Sequence, residues 1–245
     1  MSKAPAMLLC ASLAGLFGGA AGAETINLTS LDWPPYTGEK LAGQGITSQV
    51  VKAVMEKAGH TASFKFLPWQ RAVDTARNDA TFVGYFPEYA DPSSPCLFSA
   101  PIGHGLLGFA EQTAKPQTWG TLNDLKSNKI GVVSGYVNTA EFDKMVAAGE
   151  LKADPASSDE QNLLKLANGR IDLAVVDQNV MQYLLQTSPK LQAVASSLQF
   201  NGKALEDKTL HVCFTNSPAG KQALEQFNAA LKLVDVEQLS AQAVK

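Results

Sequence analysis

The chain has 245 residues, with 20 Lys and Arg against 23 Asp and Glu and a formal net charge of −3. This mild acidity, with no run of basic residues, argues against nucleic acid and against anionic membrane surfaces as partners. A chain of this length can bury one large core or two moderate ones, and no apolar segment beyond the N-terminal leader is long enough to cross a bilayer.

The first elements are a basic Lys3, an apolar run from Ala6 to Phe17, and the small residues Ala21-Gly22-Ala23 ahead of Glu24. Together they have the form of a secretory signal peptide. The apolar run is shorter than the roughly 20 residues needed to span a bilayer, and Leu8-Leu9-Cys10 lacks the small residue expected before a lipidated cysteine. Cleavage after Ala23 and export to the periplasm are therefore expected, with a mature chain that does not span the membrane. Cys10 leaves with the leader, so Cys96 and Cys213 remain. An even count in an oxidising compartment permits one disulfide, and two small buried hydrophobes are the alternative.

From Thr25 the chain reads as a strand over Ile26–Thr29, a loop carrying Trp33, Pro34, Pro35 and Tyr36, and a helix near Thr47–Ala58 that stops at Gly59. A strand over Ala62–Leu67 and a helix over Gln70–Arg77 follow, and this βαβα alternation predicts a parallel sheet with helices on its faces. A strand is expected over Thr81–Phe86, then a Pro- and Ser-rich loop, then a strand over Leu106–Glu111 and a polar connection opening at Lys115-Pro116.

A second α/β pattern then begins: helix Leu122–Leu125, strand Ile130–Val133, helix Ala140–Ala148, helix Glu160–Asn168, strand Leu173–Val176 and helix Asn179–Thr187. Two such units imply two lobes. A late strand, Leu210–Thr215, precedes a helix over Ala219–Leu233 whose Ala223, Leu224, Phe227, Ala230 and Leu231 recur at helical spacing, as core packing requires.

Within the second unit, Lys129 to Thr139 is the most telling stretch. The apolar run Ile130 to Val133 suits a strand covered on both faces. Ser134 and Gly135 let the backbone turn, and Asn138 or Thr139 can cap the next helix, with Tyr136 between them. Unpaired N–H groups at such a helix start face the strand end, where open α/β sheets bind ligands. An ordinary strand-to-helix connection explains the same residues. Catalytic signals are poor. His60, His104 and His211 have no metal-ligand spacing, and no nucleophile elbow, phosphate-binding glycine loop or Cys-His pair is present. Neither a metal nor a cofactor is expected.

An ordered set of motifs runs over the mature chain: Trp33 to Tyr36 after the first strand, Leu67-Pro68-Trp69-Gln70-Arg71-Ala72 opening a helix, and Phe98-Ser99-Ala100-Pro101. Asp124-Leu125 ahead of Lys129 to Tyr136, then Asn168-Gly169-Arg170-Ile171-Asp172 and a strand ending at Asp177, complete it. In these motifs the chain resembles the periplasmic solute-binding proteins of polar amino-acid ABC transporters, bacterial extracellular solute-binding protein family 3. The resemblance implies an α/β, two-lobe periplasmic binding protein fold of type II, with the ligand cleft between lobes joined by two hinge strands. It places lobe one at residues 24–111 plus 208–245 and lobe two at 112–207, puts Cys96 and Cys213 in lobe one or at its hinge edge, and so favours their disulfide. It further implies a small polar ligand, a membrane permease as partner, and a monomer.

One departure from the family matters. Its amino-acid binders carry an arginine, in a Thr-x-x-Arg motif before the Phe-Ser pair, that forks the ligand's α-carboxylate. The corresponding stretch here, Pro87 to Cys96, contains no arginine.

Arg71, a cation at a helix start where the dipole opposes it, could take that place; a surface ion pair is the other reading. Trp33, Tyr36, Trp69 and Tyr85 could wall a pocket or lie in the core. Ser99 stands at the family's serine position and could offer a hydroxyl, or form a turn. In family members the aspartate matching Asp177 receives the ligand's amino group, and a carboxylate closing a buried strand is costly unless paired or facing a polar cleft. Ser134, Gly135, Tyr136, Asn138 and Thr139 complete the ligand set from the second lobe. The leading expectation is a non-catalytic exported binder of a small polar or zwitterionic metabolite. A sensor or orphan binding module on the same fold, and an exported cyclohexadienyl-dehydratase-like enzyme with Glu88 as its acid, are the alternatives.

Overall fold

The computed structural model describes residues 23–91 and 93–243. The expected leader, all but its last residue, lies outside the described residues. In chain order the strands are β1 (Thr25–Ser30), β2 (Thr61–Phe66), β3 (Gly84–Tyr89), β4 (Leu97–Phe98), β5 (Gly103–Gln112), β6 (Lys129–Val133), β7 (Lys152–Ala156), β8 (Leu173–Asp177), β9 (Leu198–Phe200) and β10 (Glu206–Phe214). The helices are α1 (Ile46–Lys57), α2 (Trp69–Asn78), α3 (Ala140–Ala147), α4 (Asp159–Ala167), α5 (Gln178–Thr187), α6 (Pro189–Gln192), α7 (Pro218–Leu231) and α8 (Val236–Ala243).

The strand order is β2-β1-β3-β10-β5-β8-β6-β7, with β4 beside β10 and β9 beside β5. Each half has three parallel strands and one antiparallel strand: β2, β1 and β3 with β10, and β7, β6 and β8 with β5. The long strands β5 and β10 pair with each other from Glu206 opposite Leu107 to Leu210 opposite Gly103, then diverge into opposite halves. They are the two crossings that join the halves. The fold is the two-lobe type II architecture.

Local sequence explains the element ends. Gly59, at φ +82°, terminates α1, and His60 N–H closes back on Met55 carbonyl at 2.9 Å. Thr139 accepts from Phe142 N–H at the start of α3, Ser158 from Gln161 N–H at the start of α4, and Ser217 from Gly220 N–H ahead of Pro218 in α7. The core lies between sheet and helices, and the α7 stripe enters it through Ala223, Phe227, Ala230 and Leu231. Cys96 and Cys213 form a disulfide with Cα atoms 5.5 Å apart.

The strand expected over Thr81–Phe86 lies instead at Gly84–Tyr89. Asp79 accepts from the Thr81 N–H and hydroxyl, so Thr81 belongs to a turn. The extended chain then continues through Pro87, because the β10 register shifts between His211 and Cys213, opposite the Phe86-Pro87 step. At a bulge no ladder N–H is required of proline. The shift matters for the site, because it places Glu88 and Tyr89 at the strand end rather than in a loop.

Candidate ligand-binding site

A cavity of about 30 Å³ lies at the ends of β1, β3 and β6, walled by Leu31, Trp33, Trp69, Pro87, Glu88, Tyr89, Tyr136, Val137 and Leu210. Beside it, sharing Trp69, Glu88 and Val137, is a second space of about 200 Å³ that reaches Arg77, Tyr85 and Asp91. The walls come from both halves of the sheet. The first space has room for one or two waters, less than a metabolite needs.

The aromatic walls are set by local backbone. Trp33 N–H donates to Thr37 carbonyl at 2.8 Å and Tyr36 N–H to Trp33 carbonyl at 3.0 Å, a tight turn that stacks the two rings at 4.7 Å. Trp69, the first residue of α2, packs edge-on against Tyr85 and Tyr136, and Tyr136 meets Trp33 in the same way. Edge-to-face contacts of this kind hold rings without filling the space their faces enclose. Across the gap, Trp69 Nε1 donates to Gly135 carbonyl at 3.1 Å. Gly135 holds φ +81°, and a Cβ there would crowd the Gln70 side chain, so the loop can approach α2 this closely only as glycine.

Three carboxylates surround the aromatic cluster. Glu88 forms part of the wall, and burial pushes it up to about 8. Asp159 is 6% exposed, and burial together with the nearby Asp177 raises it to about 7. The Trp33 indole N–H lies near enough to favour Asp159's charged form, yet not in hydrogen-bond geometry, and Nε1 has no partner among the described residues. Asp177, 1% exposed, is raised to about 6 by burial despite good partners. It accepts from Asn179 N–H at 2.8 Å, Val180 N–H at 3.1 Å and the Tyr36 hydroxyl at 3.1 Å. Tyr36 in turn accepts from the Asn179 amide at 2.8 Å. A Cβ on Gly105 would collide with both the Asp177 carboxylate and the Tyr36 hydroxyl, which explains a glycine on this crossing strand. The hydroxyls of Tyr89 and Tyr136 are driven well above the usual phenol range, mainly by burial.

The structure gathers Trp33, Trp69, Gly135 and Tyr136 at the cavity or on its rim, with Tyr36 stacked behind Trp33 and Tyr85 in the adjoining space. It does not bring the other expected residues there. Arg71 is on the exposed face of α2, outside the cavity walls, because the helix turns Ala72 rather than Arg71 inward. The Ser99 hydroxyl is engaged with Ala100 carbonyl and Val212 N–H, where it joins β4 to β10. Ser134 is exposed, the Asn138 amide is tied to Asp143, and Thr139 caps α3. Asp177 caps α5 and bonds Tyr36, so its oxygens have protein partners.

Tyr89 and Asp159 were not anticipated as site residues, and Glu88 only as a catalytic acid. The strand-end register hides Glu88 and Tyr89, and Asp159 looks like any acid in a helix first turn, where the dipole favours it.

The fold, with its cavity between the halves, is the two-lobe architecture of periplasmic binding proteins. No family model matches the chain. It is 26% identical over 240 residues, 94% of this chain and 93% of the relative, to ABC transporter arginine-binding protein 1 of Escherichia coli strain K12. A histidine kinase sensor domain with similarity to periplasmic binding proteins superposes with a TM-score of 0.76 at 17% identity, covering 90% of this chain and 96% of that one. An ancestral arginine-binding protein bound to arginine gives 0.71 at 17% identity, covering 89% and 96%. The chain is thus similar, at low identity, to arginine-binding proteins of ABC transporters and shares the two-lobe fold of amino-acid-binding proteins.

Proposed function

We propose that this exported protein captures a small polar or zwitterionic metabolite, an amino acid or a derivative, and delivers it to the permease of an ABC transporter. Lobe one comprises residues 24–111 plus 208–245 and lobe two 112–207. The leader is removed after Ala23, and the mature protein works in the periplasm as a non-catalytic monomer. The observation that carries this reading is the aromatic cavity between the halves, bridged by the bond from Trp69 to Gly135. Its relatives named for arginine binding support an amino-acid-like ligand.

A thermal-shift screen of the mature protein against amino acids, amines, organic acids and small peptides tests the proposal. A solute at 100 times its Kd adds about 2.7 kcal/mol, or roughly 5 to 10 °C in melting temperature for a chain of this size. A single class of solute is expected to give such a shift. No shift with any member contradicts the reading.

One observation favours a second reading. Glu88, held up to about 8, is protonated at neutral pH inside the cavity, as a general acid would be. Turnover of a cyclohexadienyl acid that Glu88→Gln abolishes would establish a dehydratase in place of a binder.

A further inference from the structure

We propose that the cavity between the lobes selects a small organic cation that carries no carboxylate, an amine or a guanidine, over the amino acid from which such a cation derives. This rests on the solute-binding reading above. Trp33, Trp69, Tyr89 and Tyr136 supply π-surfaces that attract a cation, and Glu88 is the acidic residue among the walls, a carboxyl that a bound cation would draw toward its ionised form. Asp159 and Asp177 lie buried close behind the rings, adding negative potential from the second half of the sheet. The Tyr89 hydroxyl has no partner among the described residues and is free to accept from an ammonium or guanidinium N–H.

Among the described residues no Arg or Lys lines this cavity. Two cations lie just outside it. Lys208 Nζ sits over the Tyr89 ring at 5.3 Å and bonds Glu206 at 3.2 Å. Arg77 is in the adjoining space, 3.5 Å from the Tyr85 hydroxyl. A zwitterion seated among these walls would bury its carboxylate beside Glu88 with no Arg or Lys of the walls to pair with it, a costly arrangement in a low-dielectric site. A cation lacking that carboxylate gains the rings and Glu88 and meets no such penalty.

Calorimetric titration of the mature protein with agmatine against arginine, and with cadaverine against lysine, tests this. The expected result is that each decarboxylated cation binds tighter than its parent by about tenfold or more, the weight of one unpaired buried charge. Glu88→Gln and, separately, Tyr136→Leu should each weaken the cation by about tenfold, with each variant's unliganded melt confirming that it folds. Equal or tighter binding of arginine or lysine, binding confined to neutral or anionic solutes, or full cation affinity in both variants overturns the inference and leaves the solute-binding reading standing. No binding by any solute of the wider screen overturns both.

Discussion

The two faces of the cleft use their polar groups differently. On the second-lobe face, from Ser134 to Thr139, the polar side chains serve the loop itself: Asn138 is bound to Asp143, and Thr139 caps α3. On the first-lobe face, at the end of β3, Glu88 and Tyr89 have few partners, and burial holds both away from their charged forms. Side chains that complete a helix cap are not available to a ligand. Those left under-satisfied in a cavity are, and functional groups concentrate there. The contrast also separates the buried aspartates. Asp177 is held by two backbone N–H groups and a phenol, whereas Asp159 has its own backbone N–H and the misaligned indole of Trp33.

The largest effect should come from Trp69→Ala, which removes an aromatic wall and the bond across the gap to Gly135. Affinity for the best solute is expected to fall about a hundredfold by calorimetry, the size of a central aromatic anchor. A fall of less than threefold would mean that the first-lobe face does not hold the solute.

A pH profile gives the next effect. Glu88 is raised from its ordinary 4.5 to about 8 and Asp159 from 3.8 to about 7, so the folded chain binds more protons than the unfolded chain in that window. Their contribution to stability is therefore full at low pH and is lost as pH rises from about 4 to 8. In melts taken across this range, Glu88→Gln should remove the upper part of the decline. An unchanged slope in the variant would show that Glu88 is not buried as described.

Smaller still is the effect expected for the second-lobe loop. Thr139→Ala should lower stability by about 1 kcal/mol, as loss of a helix cap does, while solute affinity stays within about twofold. A tenfold loss of affinity would return Thr139 to the ligand set. Arg71→Ala, on the exposed face of α2, should change neither the melt nor the affinity measurably.

The sequence made the halves of the fold legible because βαβ periodicity is strong from Ile26 to Arg77 and again from Ile130 to Thr187. It concealed β7, since Lys152-Ala153-Asp154-Pro155-Ala156 has the charge and proline of an edge strand rather than an apolar run. In the site, the rings at Trp33, Trp69 and Tyr136 were readable from their place beside strand ends. The carboxylates were harder to read. Whether Glu88 faces the cavity depends on a bulge opposite Phe86-Pro87, and the surroundings of Asp159 include Trp33, more than a hundred residues away in the chain. Local pattern carries neither kind of information. The exposure of Arg71 was hidden for the same reason: its side of α2 is fixed by which alanines, Ala72 and Ala76, pack against the sheet.

The most direct test of the account is a crystal structure of the mature protein with the tightest-binding amine. The amine nitrogen is predicted to lie within about 6 Å of the Trp33, Trp69 or Tyr136 ring centres and to pair with Glu88. An amine seated instead in the groove behind the hinge, among Gln182, Gln186 and Glu237 where α5 faces α8, would contradict it.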